Sequence, residues 1–235
     1  MTRPASRAPV PGPNPLAAAI PRGGLFAATP KPVVKWLGRV EYTPTWRAMQ
    51  EFTDRRDAAT ADEIWFLEHP PVFTLGMNAD PAHVLASGAI PVVQIDRGGE
   101  VTYHGPGQLV IYPLIDLRRA RLGVRDLVTA LEQSIVDYCA TLGIAALARK
   151  DAPGVYVDGR KLASVGIRVR RSASYHGLAL NVNMDLEPFG RINPCGFEGL
   201  EMTQLSAFAP ATTVAAVADG LREPLLARLG GATRV

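Results

Sequence analysis

A chain of 235 residues with 47% hydrophobic and 20% charged content is long enough for one substantial core, and no apolar run approaches the roughly 18 residues that span a bilayer. The formal charge of +3 sits entirely in residues 1–30, which hold Arg3, Arg7 and Arg22 and no acid, so the remainder is neutral and lacks the basic face of a general nucleic-acid binder. Two cysteines, Cys139 and Cys195, make neither a disulfide framework nor a zinc site by themselves and favour a reducing, cytoplasmic setting.

Residues 1–30 carry seven prolines among alanines, which blocks a helix and leaves little to bury. They are expected to form a disordered tail ahead of one domain over 31–235. The acid-poor start also permits an organellar transit reading, but the proline spacing spoils the amphipathic helix that such a peptide needs. Residues 33–40 read as a strand, followed by a helix over 45–59 with Trp46, Met49 and Phe52 on one side. The short apolar runs 64–67 and 72–75 are separated by His69-Pro70-Pro71, which forces an extended turn. Residues 91–95 look like a buried strand and 109–115 like another. The clearest helix covers 124–142, with Val124, Leu127, Val128, Leu131, Ile135, Tyr138, Cys139 and Leu142 at three- and four-residue spacing. That periodicity makes Cys139 a core residue. Residues 155–157 lead into Asp158-Gly159, a strong hairpin signal, and a second strand starts at Arg160. Residues 176–182 form one more strand and 213–229 a last helix. Hairpins mixed with few helices predict an α+β fold, a mixed sheet with helices packed on one side.

Three stretches carry unusual chemistry. The block from Arg97 to Gln108 holds four glycines and a proline in twelve residues and fits neither a P-loop nor a dinucleotide fingerprint. It is either a hairpin loop or a site wall, and Arg97 and His104 within it favour the wall. The second stretch runs from Gly159 to Arg170. Strand alternation puts Lys161 on the side of Val165, Ile167 and Val169, with Arg168 and Arg170 opposite. A lysine on an apolar face is desolvated and inclined to exchange protons, whereas one at a strand's start can instead snorkel to water. From Arg160 to Arg171 there are five basic residues and no acid, a patch suited to a small acidic partner. The third stretch is Ile192-Asn193-Pro194-Cys195-Gly196, where a cysteine stands between turn-forming residues, as either a nucleophile or a structural thiol. An amine or a histidine can serve as its base. His83 reads as a surface residue, while His69, His104 and His176 sit at strand edges where structural and catalytic imidazoles are equally common.

Taken together, Arg97-Gly98-Gly99 with Tyr103-His104-Gly105-Pro106-Gly107-Gln108, then Gly159-Arg160-Lys161-Leu162-Ala163-Ser164-Val165-Gly166, then His176-Gly177-Leu178-Ala179-Leu180-Asn181 with Asn193-Pro194-Cys195-Gly196, closely resemble the lipoyl(octanoyl) transferases, also called the lipoate-protein ligase B family. The resemblance extends over roughly residues 34–210 and includes Glu68-His69-Pro70-Pro71-Val72-Phe73-Thr74-Leu75-Gly76. It implies a biotin/lipoate protein ligase-like catalytic domain and a transfer that uses no cofactor or metal. In that family octanoate moves from octanoyl-acyl carrier protein to a lysine of lipoyl domains, those of 2-oxoacid dehydrogenase complexes and the glycine cleavage H protein. Carried over, Cys195 is the nucleophile and Lys161 the general acid/base. The acyl pocket is implied at Arg97, Gly98, Gly99, Tyr103, His104, Gly105, Gly107 and Gln108, at Ala163, Ser164, Val165 and Gly166, and at His176, Gly177, Leu178 and Ala179. The polar Ser172-Ala173-Ser174 and the proline-rich tail depart from the pattern. An ATP-dependent lipoate or biotin ligase on the same fold is the nearest rival. It activates a free acid as an adenylate and needs no cysteine, so Cys195 with Lys161 speaks against it. A non-catalytic carrier-protein binding module would use the basic strand alone.

Overall fold

The computed structural model describes residues 31–193 and 199–230. The proline-rich tail and the Cys195 position therefore lie outside the described residues. A seven-stranded sheet has the order β1-β2-β6-β10-β9-β8-β7, and a three-stranded sheet the order β4-β3-β5. The strands are β1 (Val33–Arg39), β2 (Glu63–Glu68), β3 (Val72–Leu75), β4 (Val92–Gln94), β5 (Val101–His104), β6 (Gln108–Leu114), β7 (Ala146–Ala148), β8 (Gly154–Val157), β9 (Arg160–Arg170) and β10 (Ala173–Asn181). The helices are α1 (Tyr42–Arg55), α2 (Leu117–Ala120), α3 (Val124–Thr141) and α4 (Val214–Gly230). Among the described strand pairs, β1 with β2 and β3 with β4 run parallel and the others antiparallel. The α+β class and mixed sheet are as expected.

The helices are not confined to one side. On one face, Ile64, Phe66, Leu109, Ile111, Leu178 and Leu180 pack with Leu127, Leu131 and Ile135 of α3 and Leu221 and Leu225 of α4. On the other, Trp65, Leu67, Val110, Tyr112, Leu114, Tyr175 and Ala179 pack with Met49 of α1. The central strands β2, β6 and β10 are thus buried on both faces, which is why they read as continuous apolar runs that cannot reveal which face a helix covers. Each fully buried leucine or isoleucine here contributes about 1.5–3 kcal/mol of transfer free energy. Cys139 is fully buried in the α3 face, and burial pushes its thiol up to about 12, as befits an inert packing residue. The ends of the α3 stripe differ from expectation: Val124 and Leu142 are 48% and 40% exposed.

Several boundaries move for identifiable reasons. Helix α1 starts earlier than expected because Pro44 is tolerated in a first turn, and it stops at Arg55. Beyond it the Asp57 carboxylate accepts the amides of Ala59 and Thr60, an alternative to continuing the helix. Strand β4 lies at the edge of the small sheet, so Val92 is exposed while Ile95 is buried. The Asp158-Gly159 turn has both residues at positive φ, as a two-residue hairpin requires. Arg171 and Ser172 do the same between β9 and β10, where no Asn-Gly or Asp-Gly signature announced a turn. Strand β10 accordingly begins at Ala173, three residues before its apolar pattern.

Candidate active site

A partly open cleft is lined by Tyr42 of α1, Arg97 and residues 99–102, His104 of β5, Val110 and Tyr112 of β6, Lys161 with Ser164, Val165 and Gly166 of β9, and residues 176–179 of β10. The blocks around Arg97, Lys161 and His176 thus converge, while the Cys195 loop lies outside the described residues. Of the residues implied as pocket, Arg97, Gly99, His104, Ser164, Val165, Gly166, His176, Gly177, Leu178 and Ala179 line it, and so does Lys161, the implied general acid/base. Gly98, Tyr103, Gly105, Gly107, Gln108 and Ala163 are not among the lining residues. Ala163 is in the α3-side core and Tyr103 packs with Phe73 and Phe189. The Gly98 amide donates to the Ile167 carbonyl, and a Cβ on Gly105 would fall 2.3 Å from the Tyr103 hydroxyl. Gly107 has φ +86, donates its amide to Glu68, and a Cβ there would fall 2.0 Å from the Asn183 carbonyl oxygen. Its role in the fold is a close backbone approach.

Lys161 is 2% exposed, but it does not lie on the face that alternation assigns. Tyr156 pairs with Lys161 whereas Val155 pairs with Ala163, so Leu162 is an extra residue, a β-bulge. Leu162, Ala163, Val165, Ile167 and Val169 turn to the α3-side core, and Lys161 joins Ser164 and Gly166 in the cleft. Its Nζ sits 5.6 Å from the centre of the Tyr156 ring. The backbone of Lys161 also pairs with residues 201–203. Its amide donates to the Glu201 carbonyl at 2.8 Å, and the Thr203 amide donates to its carbonyl at 2.9 Å.

A buried polar chain links the glycine-rich block to that same point. His104 Nδ1–H donates to Gln108 Oε1 at 2.7 Å, Gln108 Nε2 donates to Asn181 Oδ1 at 3.0 Å, and Asn181 Nδ2 donates to the Thr203 carbonyl at 2.9 Å. Gln108 therefore holds the site's frame from outside the cleft. His69 donates Nδ1–H to the Val40 carbonyl at 2.7 Å, leaving Nε2 to accept from the Tyr112 hydroxyl at 2.8 Å. Burial drives the His69 imidazole down to about 4, against the opposing effect of the Val40 hydrogen bond. Burial, with His69 nearby, drives His104 down to about 3. Both are neutral framework groups near pH 7.

The sequence reading missed Asp96. Its carboxylate accepts from Trp46 Nε1 at 2.8 Å, Tyr175 Oη at 2.5 Å and His176 Nε2 at 2.9 Å. Burial pushes this carboxyl up, but those three hydrogen bonds outweigh it and hold the group well below the usual range. Adjacent strand residues normally point to opposite faces. Tyr175 and His176 both reach Asp96 because His176 has φ +56, a left-handed conformation uncommon for a side chain of its kind. Asp96 directly precedes Arg97-Gly98-Gly99, and that adjacency was the available signal. Arg97 in turn donates to the Thr74 carbonyl and hydroxyl at 2.9 and 3.0 Å, which ties the glycine-rich block to β3. Arg168 and Arg170 lie on the face away from Val165, Ile167 and Val169, as expected. Arg170 is held by Asp54 of α1, and Arg168 Nη1 lies 3.0 Å from Met77 Sδ.

The depressed imidazoles predict acid sensitivity. An unfolded histidine binds a proton near pH 6.5, while folded His69 and His104 bind one only near 4 and 3. The unfolded state therefore binds more protons below pH 6.5, and stability falls as pH drops from there through about 4. Urea midpoints at pH 7.5 and 5.0 check this; the expected result is a clearly lower midpoint at pH 5.0. An unchanged midpoint would mean the imidazoles are not buried neutral.

Among the described residues no helix is long and apolar enough to cross a membrane. Residues 41–225 match the model of the lipoyl protein ligase A/B catalytic domain. The chain is 62% identical over 187 residues to an octanoyltransferase of Hahella chejuensis, covering 80% of this chain and 84% of that one. It is 57% identical over 198 residues to an octanoyltransferase of Methylococcus capsulatus, covering 84% and 96%. Among solved structures, lipoate-protein ligase A bound with ATP superposes with a TM-score of 0.66 at 14% identity, over 86% of this chain and 85% of that one. Biotin protein ligase from Aquifex aeolicus gives 0.52 at 12% identity, over 84% and 68%. The structural likenesses establish the fold. With the family match and the close relatives, they show that this chain belongs to the lipoyl protein ligase A/B catalytic-domain family, in its octanoyltransferase branch.

Proposed function

We propose that this protein moves an octanoyl group from the thioester of an acyl carrier protein to a lysine of a lipoyl domain, through a thioester on Cys195 with Lys161 as proton carrier. The observation that carries this reading is the placement of Lys161: a buried amine in the cleft whose own backbone pairs with residues 201–203, just beyond the Cys195 segment. In the first half-reaction the Lys161 amine takes the Cys195 thiol proton, and the thiolate attacks the donor carbonyl. The carrier thiolate departs and recovers the proton from the Lys161 ammonium. In the second, the acceptor lysine's amine attacks the acyl-Cys195 carbonyl and gives up its proton to Lys161. The Cys195 thiolate then leaves and is reprotonated. Thioester exchange is nearly balanced, and amide formation draws the sequence forward.

His104 and His176 act as walls and hydrogen-bonding framework, since both are held below the ordinary imidazole range by burial, His176 against the pull of Asp96. Lipoyl domains of 2-oxoacid dehydrogenase complexes and the glycine cleavage H protein fit as acceptors, and the cytoplasm as the setting. Arg168 is the better candidate to greet an acidic carrier, because Arg170 is already tied to α1.

The fold also serves ATP-dependent ligases, and their adenylate chemistry is the competing reading. Intact mass of the protein mixed with octanoyl-carrier protein, without nucleotide, separates the two. The expected result is one octanoyl adduct that maps to Cys195 and is absent in Cys195→Ala. A protein that never gains acyl mass, or gains it only with ATP, overturns the proposal.

A further inference from the structure

Behind Lys161 stands a carboxylate that the transfer scheme does not use. Glu132 belongs to α3, whose buried residues also include Leu127, Leu131, Ser134, Ile135 and Cys139, and it is only 7% exposed. Its Oε1 accepts the Gly154 amide at 2.7 Å. Gly154 opens β8 with φ +136, and a Cβ there would fall 2.7 Å from Lys161 Cε and 3.4 Å from Nζ. The stem of the lysine therefore lies over the bare α-carbon of the residue whose amide Glu132 holds. Burial holds the Glu132 carboxyl above its ordinary range, against the opposing pull of the Gly154 amide and the positive charge of Lys161.

We infer that Glu132 is the positioning residue for Lys161. Its carboxylate fixes the Gly154 backbone against which the lysine stem rests, and its negative charge favours the ammonium form that returns a proton to the departing thiol. Among the described residues, the cleft wall holds other titratable groups as well. Tyr156 of β8 lies under Nζ, and the phenols Tyr42 and Tyr112 are held neutral by burial. His104 and His176 are neutral near pH 7, and the remaining charges in the cleft wall, Arg97 and Glu100, come from the glycine-rich block. An opposite charge close to a poorly solvated ion favours its charged form. The carboxylate's contribution is thus electrostatic as well as steric.

The inference rests on the Cys195/Lys161 reading, and the test keeps the two apart. Glu132→Gln retains the acceptor oxygen and the volume and removes only the charge. Trace acetylation of Lys161 across pH, read by peptide mass, follows its protonation without any turnover. The expected result is that half-maximal labelling moves about one pH unit lower in Glu132→Gln. Both limbs of the pH profile for octanoyl loading move in the same direction, since less charge stabilises the protonated dyad. Glu132→Ala, which also frees the Gly154 amide, adds a loss of maximal rate. Labelling curves that superimpose for wild type and Glu132→Gln overturn the inference, whatever the activities. A rate loss equal at every pH also overturns it, as that is a purely structural effect. If labelling shifts but the wild type never acquires an acyl group on Cys195, the inference about Glu132 stands and the transfer reading fails.

Discussion

Octanoyl transfer by Lys161→Arg is expected to be slower than wild type by about 10²–10⁴-fold, the usual contribution of a positioned proton-transfer group. Arginine keeps a positive charge and hydrogen-bond donors, but its guanidinium does not release a proton at working pH. Its fork is also too wide for a seat bounded by Tyr156 and the bare Gly154 α-carbon. Lys161→Met keeps a stem of similar length without the amine and is the control for folding, because the side chain is almost wholly enclosed. It is expected to be equally inactive with a melting temperature close to wild type. Single-turnover loading of Cys195, followed by mass, is the measurement. Near-normal turnover of Lys161→Arg would show that the lysine is only a fixed charge and that another group moves the proton.

Gly154→Ala should damage stability and activity together. The added Cβ would fall 2.4 Å from the Ala163 carbonyl oxygen and 2.7 Å from Lys161 Cε, on a residue whose φ of +136 side chains rarely adopt. The conformational strain alone is of the order of 1–3 kcal/mol, and displacement of a backbone oxygen adds to it. A chain of this size loses about 2–4 °C of melting temperature per kcal/mol, so a fall on the order of 10 °C is expected. The lysine stem must move as well, which lowers loading even in the fraction that folds. Gly143→Ala is the comparison, since Gly143 has φ +72 but nothing within 4 Å of the added carbon. Thermal melts and loading rates should show a small stability loss and normal chemistry there. If the two variants behave alike, backbone strain rather than the crowded lysine seat explains the effect.

Local pattern was informative wherever one residue's environment followed from its immediate neighbours. The 3.6-residue period of α3 identified Cys139 as core, and Asp158-Gly159 located the β8–β9 turn, because helix faces and two-residue turns are properties of a few adjacent residues. The blocks around Arg97, Lys161 and His176 likewise declared themselves as candidate walls of one site, and all three border the same cleft. For Lys161 the local pattern left burial and snorkelling both open, and its face was misassigned. A single extra residue, Leu162, reverses alternation, and a bulge is defined by pairing with a partner strand that the local sequence does not contain. His176 reaches Asp96 for a related reason, through a left-handed backbone that no propensity announces.

Helix period and hairpin position were determined by the amino-acid sequence itself, since each depends on interactions within a few residues. The tertiary structure alone decided that α1 covers the sheet face opposite α3, because strands buried on both sides carry no record of which element covers them. It also decided that Asp96 collects Trp46, Tyr175 and His176, and that Glu132 lies behind Lys161, across 28 intervening positions of chain and one shared glycine contact. A carboxylate's partners are set by which elements meet in space, and that meeting is the outcome of packing the whole chain rather than of any one segment.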